Sequence, residues 1–262
     1  MRSLDPACRF LLALALLIGL GAVAGPPAGR SLSAGVGPQG EPPSLPEAEI
    51  VRRFAEKEDD YARAHSLYRY RLSLKIQELG DDDRVLGEFE QLAEVGFDAA
   101  GRRTARLLAN PRTDLVYLGV TRVELEDLDF VPLFILSPKD IPDYDVRYLA
   151  HERLDEVDTF LFRLEPRRPV RPGERFFEGI VWVDAEKLDI VRALGRSLPP
   201  RTGGLFKGYF QRLEVYREPV DTYLFPTYAR ADDTLTAVGR NIRARLILRF
   251  TDHQRVGEPA PK

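Results

Sequence analysis

The stretch Tyr68-Arg69-Tyr70-Arg71-Leu72-Ser73-Leu74-Lys75-Ile76-Gln77 decides the fold class, because apolar and polar side chains alternate at every position. A period of two places successive side chains on opposite faces of a β-strand. The pattern therefore predicts a long strand with one buried face and one solvated face. Tyr70, Leu72 and Leu74 lie on the predicted buried face.

The same kind of pattern, interrupted by short turns, continues through most of the chain. Further strands are predicted, in chain order, over 85–97, 102–108, 145–154, 159–166, 176–184, 190–198, 209–217, 223–231 and 242–251. Regular strands joined by short turns are typical of an antiparallel meander, and so many strands in one sheet curl toward a barrel. Turns are expected at Gly80-Asp81-Asp82-Asp83 and at Asp232-Asp233, and the stretch 114–136 predicts a short helix and a loop.

One long helix is predicted over 47–64, after a capping-box spacing of Ser44 and Glu47. The apolar side chains that fall on one side of it at helical spacing are Ile50, Val51, Phe54, Tyr61 and Ala62. This stripe has to pack on an apolar surface. The elements together predict an α+β fold, in which a curled antiparallel sheet forms a half-open β-barrel with helical caps.

Residues 1–24 have the three-part order of a secretory signal peptide. Arg2 and Arg9 supply positive charge, an apolar run follows from Phe10 to Leu20, and Ala22-Val23-Ala24 supplies small residues for cleavage. The run is shorter than the roughly 20 residues that span a bilayer. We therefore expect cleavage near Gly25 and a soluble periplasmic protein.

The rest of the chain divides by composition. Residues 25–46 are rich in Gly, Pro and Ser and predict a flexible leader, because such a segment buries too little apolar area to offset its ordering entropy. A single domain is predicted over 47–256, and 257–262 is a tail. No internal repeat or linker interrupts the domain.

Composition and motifs exclude several functions. Removing Arg2, Arg9 and Asp5 from totals of 38 basic and 41 acidic residues leaves 36 and 40, a balance that does not indicate nucleic-acid binding. The single cysteine, Cys8, belongs to the signal peptide, so the mature chain has no thiol for a disulfide or a metal.

The sequence contains no recognised catalytic motif. The chain has no G-x-S-x-G elbow, H-E-x-x-H motif, phosphate-binding loop or dinucleotide fingerprint, and His65, His151 and His253 share no ligand-like spacing. We assign no catalytic residue, metal ligand or cofactor. A hydrolase with two unrecognised carboxylates stays an open alternative.

The predicted strand 176–184 differs from the others because both of its faces are apolar. Both faces should be covered, one by the helix and the other by the hollow of the curled sheet. Trp182, the only tryptophan, is expected to be buried, either in the hollow or in the core under the helix. The candidate ligand-binding residues of the hollow are Trp182, Ile180, Phe176, Tyr70, Leu72 and Leu74.

Three segments carry a resemblance to a known family. They are the hairpin formed by Phe176-Phe177-Glu178-Gly179-Ile180-Val181-Trp182-Val183-Asp184 and Leu188-Asp189-Ile190-Val191-Arg192, the run Phe225-Pro226-Thr227-Tyr228-Ala229-Arg230-Ala231-Asp232-Asp233, and Arg249-Phe250-Thr251-Asp252. From about Glu47 to Val256 the chain resembles the outer membrane lipoprotein-sorting protein family, which is similar to the periplasmic lipoprotein carriers. This resemblance implies a half-open barrel, capped by helices, whose apolar hollow shields acyl chains.

The expected function follows from that resemblance: a periplasmic carrier or binding protein for lipid or lipidated protein. Each methylene moved out of water would contribute about 0.8 kcal/mol. The expected partners are lipid or lipoprotein acyl chains and a partner protein of the inner or outer membrane, without nucleic acid. The alternatives are a structural or assembly protein of the cell envelope and a hydrolase with an unrecognised site.

Export is directly testable. N-terminal sequencing of the protein from a Gram-negative envelope fraction should begin near Gly25, because the small residues before it suit signal peptidase. Cytosolic protein that retains Met1 would contradict the prediction.

Overall fold

A computed structural model describes residues 43–98, 101–120, 136–171, 174–199, 210 and 212–257. In these ranges one α-helix, α1 (Glu47–His65), precedes eleven strands, and a 3-10 helix covers Pro138–Asp143. No helix in the described ranges is long and apolar enough to cross a membrane. The predicted signal peptide, most of the leader and most of the tail lie outside the described residues.

The strands lie close to the predicted positions. They are β1 (Tyr68–Leu79), β2 (Val85–Phe97), β3 (Arg103–Leu107), β4 (Arg112–Thr113), β5 (Tyr144–Leu154), β6 (Val157–Pro166), β7 (Phe176–Asp184), β8 (Ile190–Leu198), β9 (Arg212–Val220), β10 (Tyr223–Ala237) and β11 (Arg240–Arg255). The bounds of β2, β7 and β8 are the predicted ones, and β10 and β11 are several residues longer than predicted.

All eleven strands belong to one antiparallel sheet in the order β3-β2-β1-β11-β10-β9-β8-β7-β6-β5, and β4 also pairs with β2. Along this order, neighbours in the sheet are neighbours in sequence except where β1 pairs with β11. The predicted meander is confirmed. Among the described residues the sheet is open, because its two end strands, β3 and β5, do not pair with each other. Beyond α1, the predicted helical caps remain a prediction.

Two local predictions are wrong. Asp232 and Asp233 lie inside β10 rather than in a turn. The turn follows at Val238 and Gly239, both at positive φ. The strand accommodates these two aspartates because both accept hydrogen bonds. Arg245 donates to Asp232 at 2.7 Å, and the backbone N–H of Phe210 donates to Asp233 at 3.0 Å.

The second wrong prediction concerns the start of helix α1. No side chain caps α1, so the capping box at Ser44 does not form. The carbonyl of Pro46 instead accepts the N–H groups of Glu49 and Ile50 at 2.9 and 3.1 Å. Residues 114–120 are not helical, and the rest of the stretch before residue 136 lies outside the described residues, so the short helix predicted within 114–136 stays a prediction.

The buried side chains lie mainly on one face of the sheet, here called the inner face. Val215 of β9 and its cross-strand partner Ala193 of β8 both point to it, and α1 packs over it. The sheet cluster comprises Tyr70, Leu72, Leu74, Ile76, Phe89, Val95, Leu118, Phe210, Leu213, Val215, Ala229, Ala231, Leu235, Ile242, Ala244, Leu246, Leu248 and Phe250.

A second group, the helix cluster, lies around α1. Its members are Ile50, Val51, Phe54, Ala55, Leu136, Tyr144, Phe160, Phe162, Leu164, Phe176, Phe177, Val181, Val183, Leu188, Ile190 and Ala193. Phe54 of the helix meets Phe162 of β6 with ring centroids 5.7 Å apart. The predicted packing of the helical stripe on apolar side chains of the sheet is therefore observed.

Two glycines let β7 and β8 approach closely on this face. Gly179 and Gly195 are cross-strand partners, and the ring of Phe177 lies over both. A Cβ on Gly195 would lie 2.4 Å from the carbonyl oxygen of Glu178 and 2.4 Å from Cζ of Phe177. Neither position admits a side chain without moving backbone.

Replacing Gly195 with Ala should therefore lower the free energy of unfolding by about 1–3 kcal/mol through overpacking. Urea unfolding of the full chain measures the change. Gly119→Ala is the matched control, because a Cβ there meets nothing within 4 Å. The control should stay within about 0.5 kcal/mol of wild type. Equal stabilities for the two variants would contradict the close approach.

Candidate functional site: the inner face of the sheet

The sheet cluster is the candidate ligand-binding surface. All of its members are hydrophobic, and each is at most 8% exposed. Small side chains occupy three positions on the neighbouring strands β10 and β11, at Ala229, Ala231 and Ala244. A small side chain fills less of the space above a sheet, so other apolar groups have to cover these positions, which are at most 4% exposed.

One chain segment is held over this surface by a buried carboxylate. Glu78, at the end of β1, is fully buried and accepts the backbone N–H groups of Val116, Tyr117 and Leu118 at 2.8, 2.7 and 2.6 Å. Gly87 on β2 permits the contact, because a Cβ there would lie 2.6 Å from the carbonyl oxygen of Asp114. Glu78 thus fixes the position of the segment before residue 121.

The chain returns to the described part in the helix cluster. Leu136 is fully buried there, and the hydroxyl of Ser137 donates to Asp59 of α1 at 2.9 Å. Residues 121–135 lie outside the described residues. The chain is therefore anchored at the sheet cluster before that stretch and at α1 after it.

The six predicted binding residues do not lie together. Tyr70, Leu72 and Leu74 belong to the sheet cluster, and Phe176 belongs to the helix cluster. Trp182 lies on the other face of the sheet, because its neighbour Val181 points into the helix cluster. Ile180 follows the same alternation and lines a pocket with charged side chains. The apolar pattern of β7 could not reveal which of its two faces is the inner one.

Trp182 is buried, as predicted, at 6% exposed, but neither a hollow nor the helix covers it. The guanidinium carbon of Arg192 lies 4.3 Å from the centroid of the Trp182 ring, a cation–π contact. The indole N–H donates to Glu152 at 2.5 Å. Polar side chains of neighbouring strands thus cover the outer face of β7.

Sequence reasoning missed a buried ion pair at the end of the inner face. Arg217 of β9 donates to Glu58 of α1 at 2.6 Å, and their side chains are 2% and 5% exposed. Burial raises the pKa of Glu58, and Arg217 opposes that rise. A signal existed, since position 58 lies on the same helical stripe as Phe54 and Tyr61, and Arg217 follows Val215 by two residues.

Two histidines lie in an aromatic group beside this pair. The ring centroid of Tyr70 lies 6.2 Å from that of His65 and 5.4 Å from that of His253. The ring centroids of Phe97 and His65 are 4.8 Å apart. Burial, followed by the positive charges of Arg103 and Arg217, lowers the pKa of His65 to about 4. Burial also lowers the pKa of His253. Both imidazoles are therefore neutral near pH 7.

Comparison with known proteins gives similar folds only. No family model matches the chain, and the search of curated proteins found no match. A DUF1329 family protein from Desulfovibrio piger is 13% identical, with 79% of this chain and 92% of that chain covered and a TM-score of 0.38. A LolA superfamily protein from Nitrosomonas europaea is 14% identical, with 78% and 95% covered and a TM-score of 0.34.

A third solved structure is an outer membrane lipoprotein-sorting protein domain from Vibrio parahaemolyticus. It is 11% identical, with 78% of this chain and 91% of that chain covered and a TM-score of 0.33. All three structures are less than 15% identical to this chain, and their TM-scores are below 0.5.

The environment of His65 predicts a loss of stability in acid. The folded pKa of about 4 lies below the ordinary value of 6.5, so the unfolded chain binds the proton first as the pH falls. The contribution of neutral His65 to the free energy of unfolding is fully present above pH 6.5. It falls by about 1.4 kcal/mol per pH unit as the pH decreases toward 4.

Urea unfolding across this range should give a flatter pH profile for His65→Phe than for wild type, because Phe suits the aromatic neighbours and does not titrate. His151→Phe is the matched control and should keep the wild-type slope. Parallel profiles for all three proteins would contradict a buried neutral His65.

Proposed function

We propose that the protein is a non-enzymatic periplasmic carrier or binding protein for lipid or lipidated protein, with acyl chains held against the sheet cluster. The single observation that carries the proposal is the extent of this apolar surface, which continues across β2, β1, β11, β10 and β9. Charged side chains of those strands lie mostly on the outer face, where they pair with one another. Lys75 with Glu88, at 2.9 Å, is an example.

The energetics favour this use of the surface. About 0.8 kcal/mol is gained for each methylene transferred from water, so a chain of a dozen methylenes has a large driving force toward a dry surface. Tyr70, Leu72 and Leu74 supply part of that surface from β1. In this proposal the acyl chain lies against Ala229, Ala231 and Ala244, because larger side chains at these positions would fill the space that the chain needs.

The proposal includes export and a partner. The signal-like residues 1–24 support a periplasmic location. A carrier has to collect and deliver its cargo, and a protein of the inner or outer membrane is the expected partner. No catalytic residue or cofactor is assigned.

A filled envelope scaffold is the second candidate. It is favoured by the nearly complete burial of the sheet cluster, whose members are at most 8% exposed. A scaffold would close this space with its own side chains and would take up no lipid. The two functions differ in whether extra volume at the inner face is tolerated.

Ala231→Phe separates the two functions. In a carrier, the added ring enters space meant for an acyl chain, so the melting temperature holds while uptake of a fluorescent fatty acid falls at least fivefold. In a filled scaffold, the wild type takes up no probe and the variant loses about 1–3 kcal/mol of stability through overpacking. Probe titration and thermal unfolding of the same samples measure both quantities.

Thr234→Phe is the matched control. Thr234 lies on the same strand but is exposed on the outer face, so this variant should keep wild-type uptake and stability. Native mass spectrometry of gently purified protein adds an independent measurement. Copurified lipid or lipopeptide is expected, and a clean mass for the protein alone, together with no probe uptake, would reject the carrier.

A further inference from the structure

The outer face of the sheet carries an excess of positive charge over β3, β4, β2, β1, β11 and β10. Cross-strand pairing places the charged side chains of these strands side by side on that face. The basic ones are Arg69, Arg71, Lys75, Arg106, Arg112, Arg230, Arg243, Arg245 and Arg249, and the carboxylates are Glu88, Glu90, Glu94, Asp232 and Asp252. This surface, here called the basic face, therefore has nine positive charges against five negative ones, although the whole chain has a net charge of -3.

Two arginines of the basic face have no carboxylate partner among the described residues. Arg69 donates from Nε and Nη2 to Oε1 of Gln254, at 3.1 and 2.7 Å. The guanidinium carbon of Arg249 lies 5.3 Å from the ring centroid of Tyr228. Both arginines are exposed. Because a guanidinium has five N–H donors, each of them keeps N–H groups that face the solvent.

The arginines that do have carboxylate partners stay exposed as well. Arg71 lies 2.9 Å from Asp252, and Arg106 lies 2.8 Å from Glu94, yet 55% and 69% of the two arginine side chains are exposed. Ion pairs this exposed contribute little to stability. An anion outside the chain can therefore share these guanidinium groups at little cost to the fold.

The anion that fits this arrangement is extended and flat. The positive charge is spread over neighbouring strands, and a membrane of anionic phospholipid presents its phosphates as a layer of similar extent. Arginine binds phosphate through parallel N–H···O bonds, which a planar guanidinium forms without rearrangement. Leu92, 37% exposed, lies on the same face next to Ser73, whose other cross-strand partner is Arg249. An exposed leucine between arginines suits the boundary between headgroups and acyl chains.

We propose that the basic face docks the protein on an anionic phospholipid membrane, with Arg69 and Arg249 contacting headgroup phosphates. The basic face and the sheet cluster lie on opposite faces of the same strands. The docked protein therefore keeps its inner face turned away from the bilayer. This interaction goes beyond the carrier function and does not depend on acyl binding at the sheet cluster.

Cosedimentation of the full chain with vesicles tests the proposal. Vesicles that contain phosphatidylglycerol should bind the protein at least tenfold more tightly than vesicles of phosphatidylcholine alone. Raising the ionic strength to about 1 M, where the Debye length is about 3 Å, should remove this preference. Ala231→Phe, which alters the inner face, should bind both kinds of vesicle as wild type does. Its result separates membrane docking from uptake of acyl chains.

The double variant Arg69→Gln/Arg249→Gln should bind the phosphatidylglycerol vesicles at least tenfold more weakly. Each basic residue near an anionic membrane contributes about fivefold in affinity. The matched control is Arg163→Gln/Arg196→Gln, which removes the same charge from the outer face of β6 and β8, where both arginines are exposed to a similar degree. The control should bind these vesicles as wild type does.

Three results would overturn the docking surface. The first is no binding of wild type to the phosphatidylglycerol vesicles. The second is equal binding to both kinds of vesicle, which would assign the contact to acyl chains rather than to charge. The third is an equal loss of binding in the two double variants, which would show that net charge matters and the position of the arginines does not.

Discussion

The long strands of this sheet each have to keep a row of apolar side chains from water, and a single α-helix is available in the described residues to cover them. Helix α1 covers the part formed by β6, β7 and β8. The second half of α1 reaches β9 through Glu58 and Arg217, and it reaches β10 through Tyr61 and Phe225. Other segments have to cover the remaining inner face, from β11 to β1 and β2. The segment held by Glu78 covers part of it, through Leu118. The candidate binding surface lies on this second part, which α1 meets at Tyr70 through His65.

The division also explains the charge distribution. On β1, β10 and β11 the arginines, lysines and most acids alternate with the buried row and form pairs across strands on the outer face. Exposed pairs of this kind contribute about 0–1 kcal/mol each, so they contribute solubility and register more than stability. Stability has to come from the apolar face, and any cargo would therefore use the surface that holds the fold together.

Much of this arrangement was predictable from alternation alone. β1 and β11 have one apolar row each, and their buried face follows from the pattern. β7 does not have this property, because Ile180 and Trp182 are as apolar as Val181 and Val183. Only the pairing of Val181 with Ala193 decides which row is inner. The turn predicted at Asp232 and Asp233 was wrong because low strand propensity yields to arginine partners on the neighbouring strand.

The ion pair between Glu58 and Arg217 was missed for a different reason. When each element is considered by itself, a charged residue within an apolar stripe indicates only a break in the buried face of that element. Its partner lies on another element at a separation of 159 residues, and no local pattern encodes that distance. Buried polar contacts are the part of a fold that periodicity predicts least.

The first half of α1 packs with Ile50, Val51 and Phe54, and the second half presents Glu58, Tyr61 and His65 to the sheet. Replacing a buried ion pair by apolar side chains is often neutral or stabilising, so stability alone does not account for charge at this position. A role in selecting one docking position of the helix on the sheet does account for it, because Glu58 and Arg217 satisfy each other only where α1 meets β9.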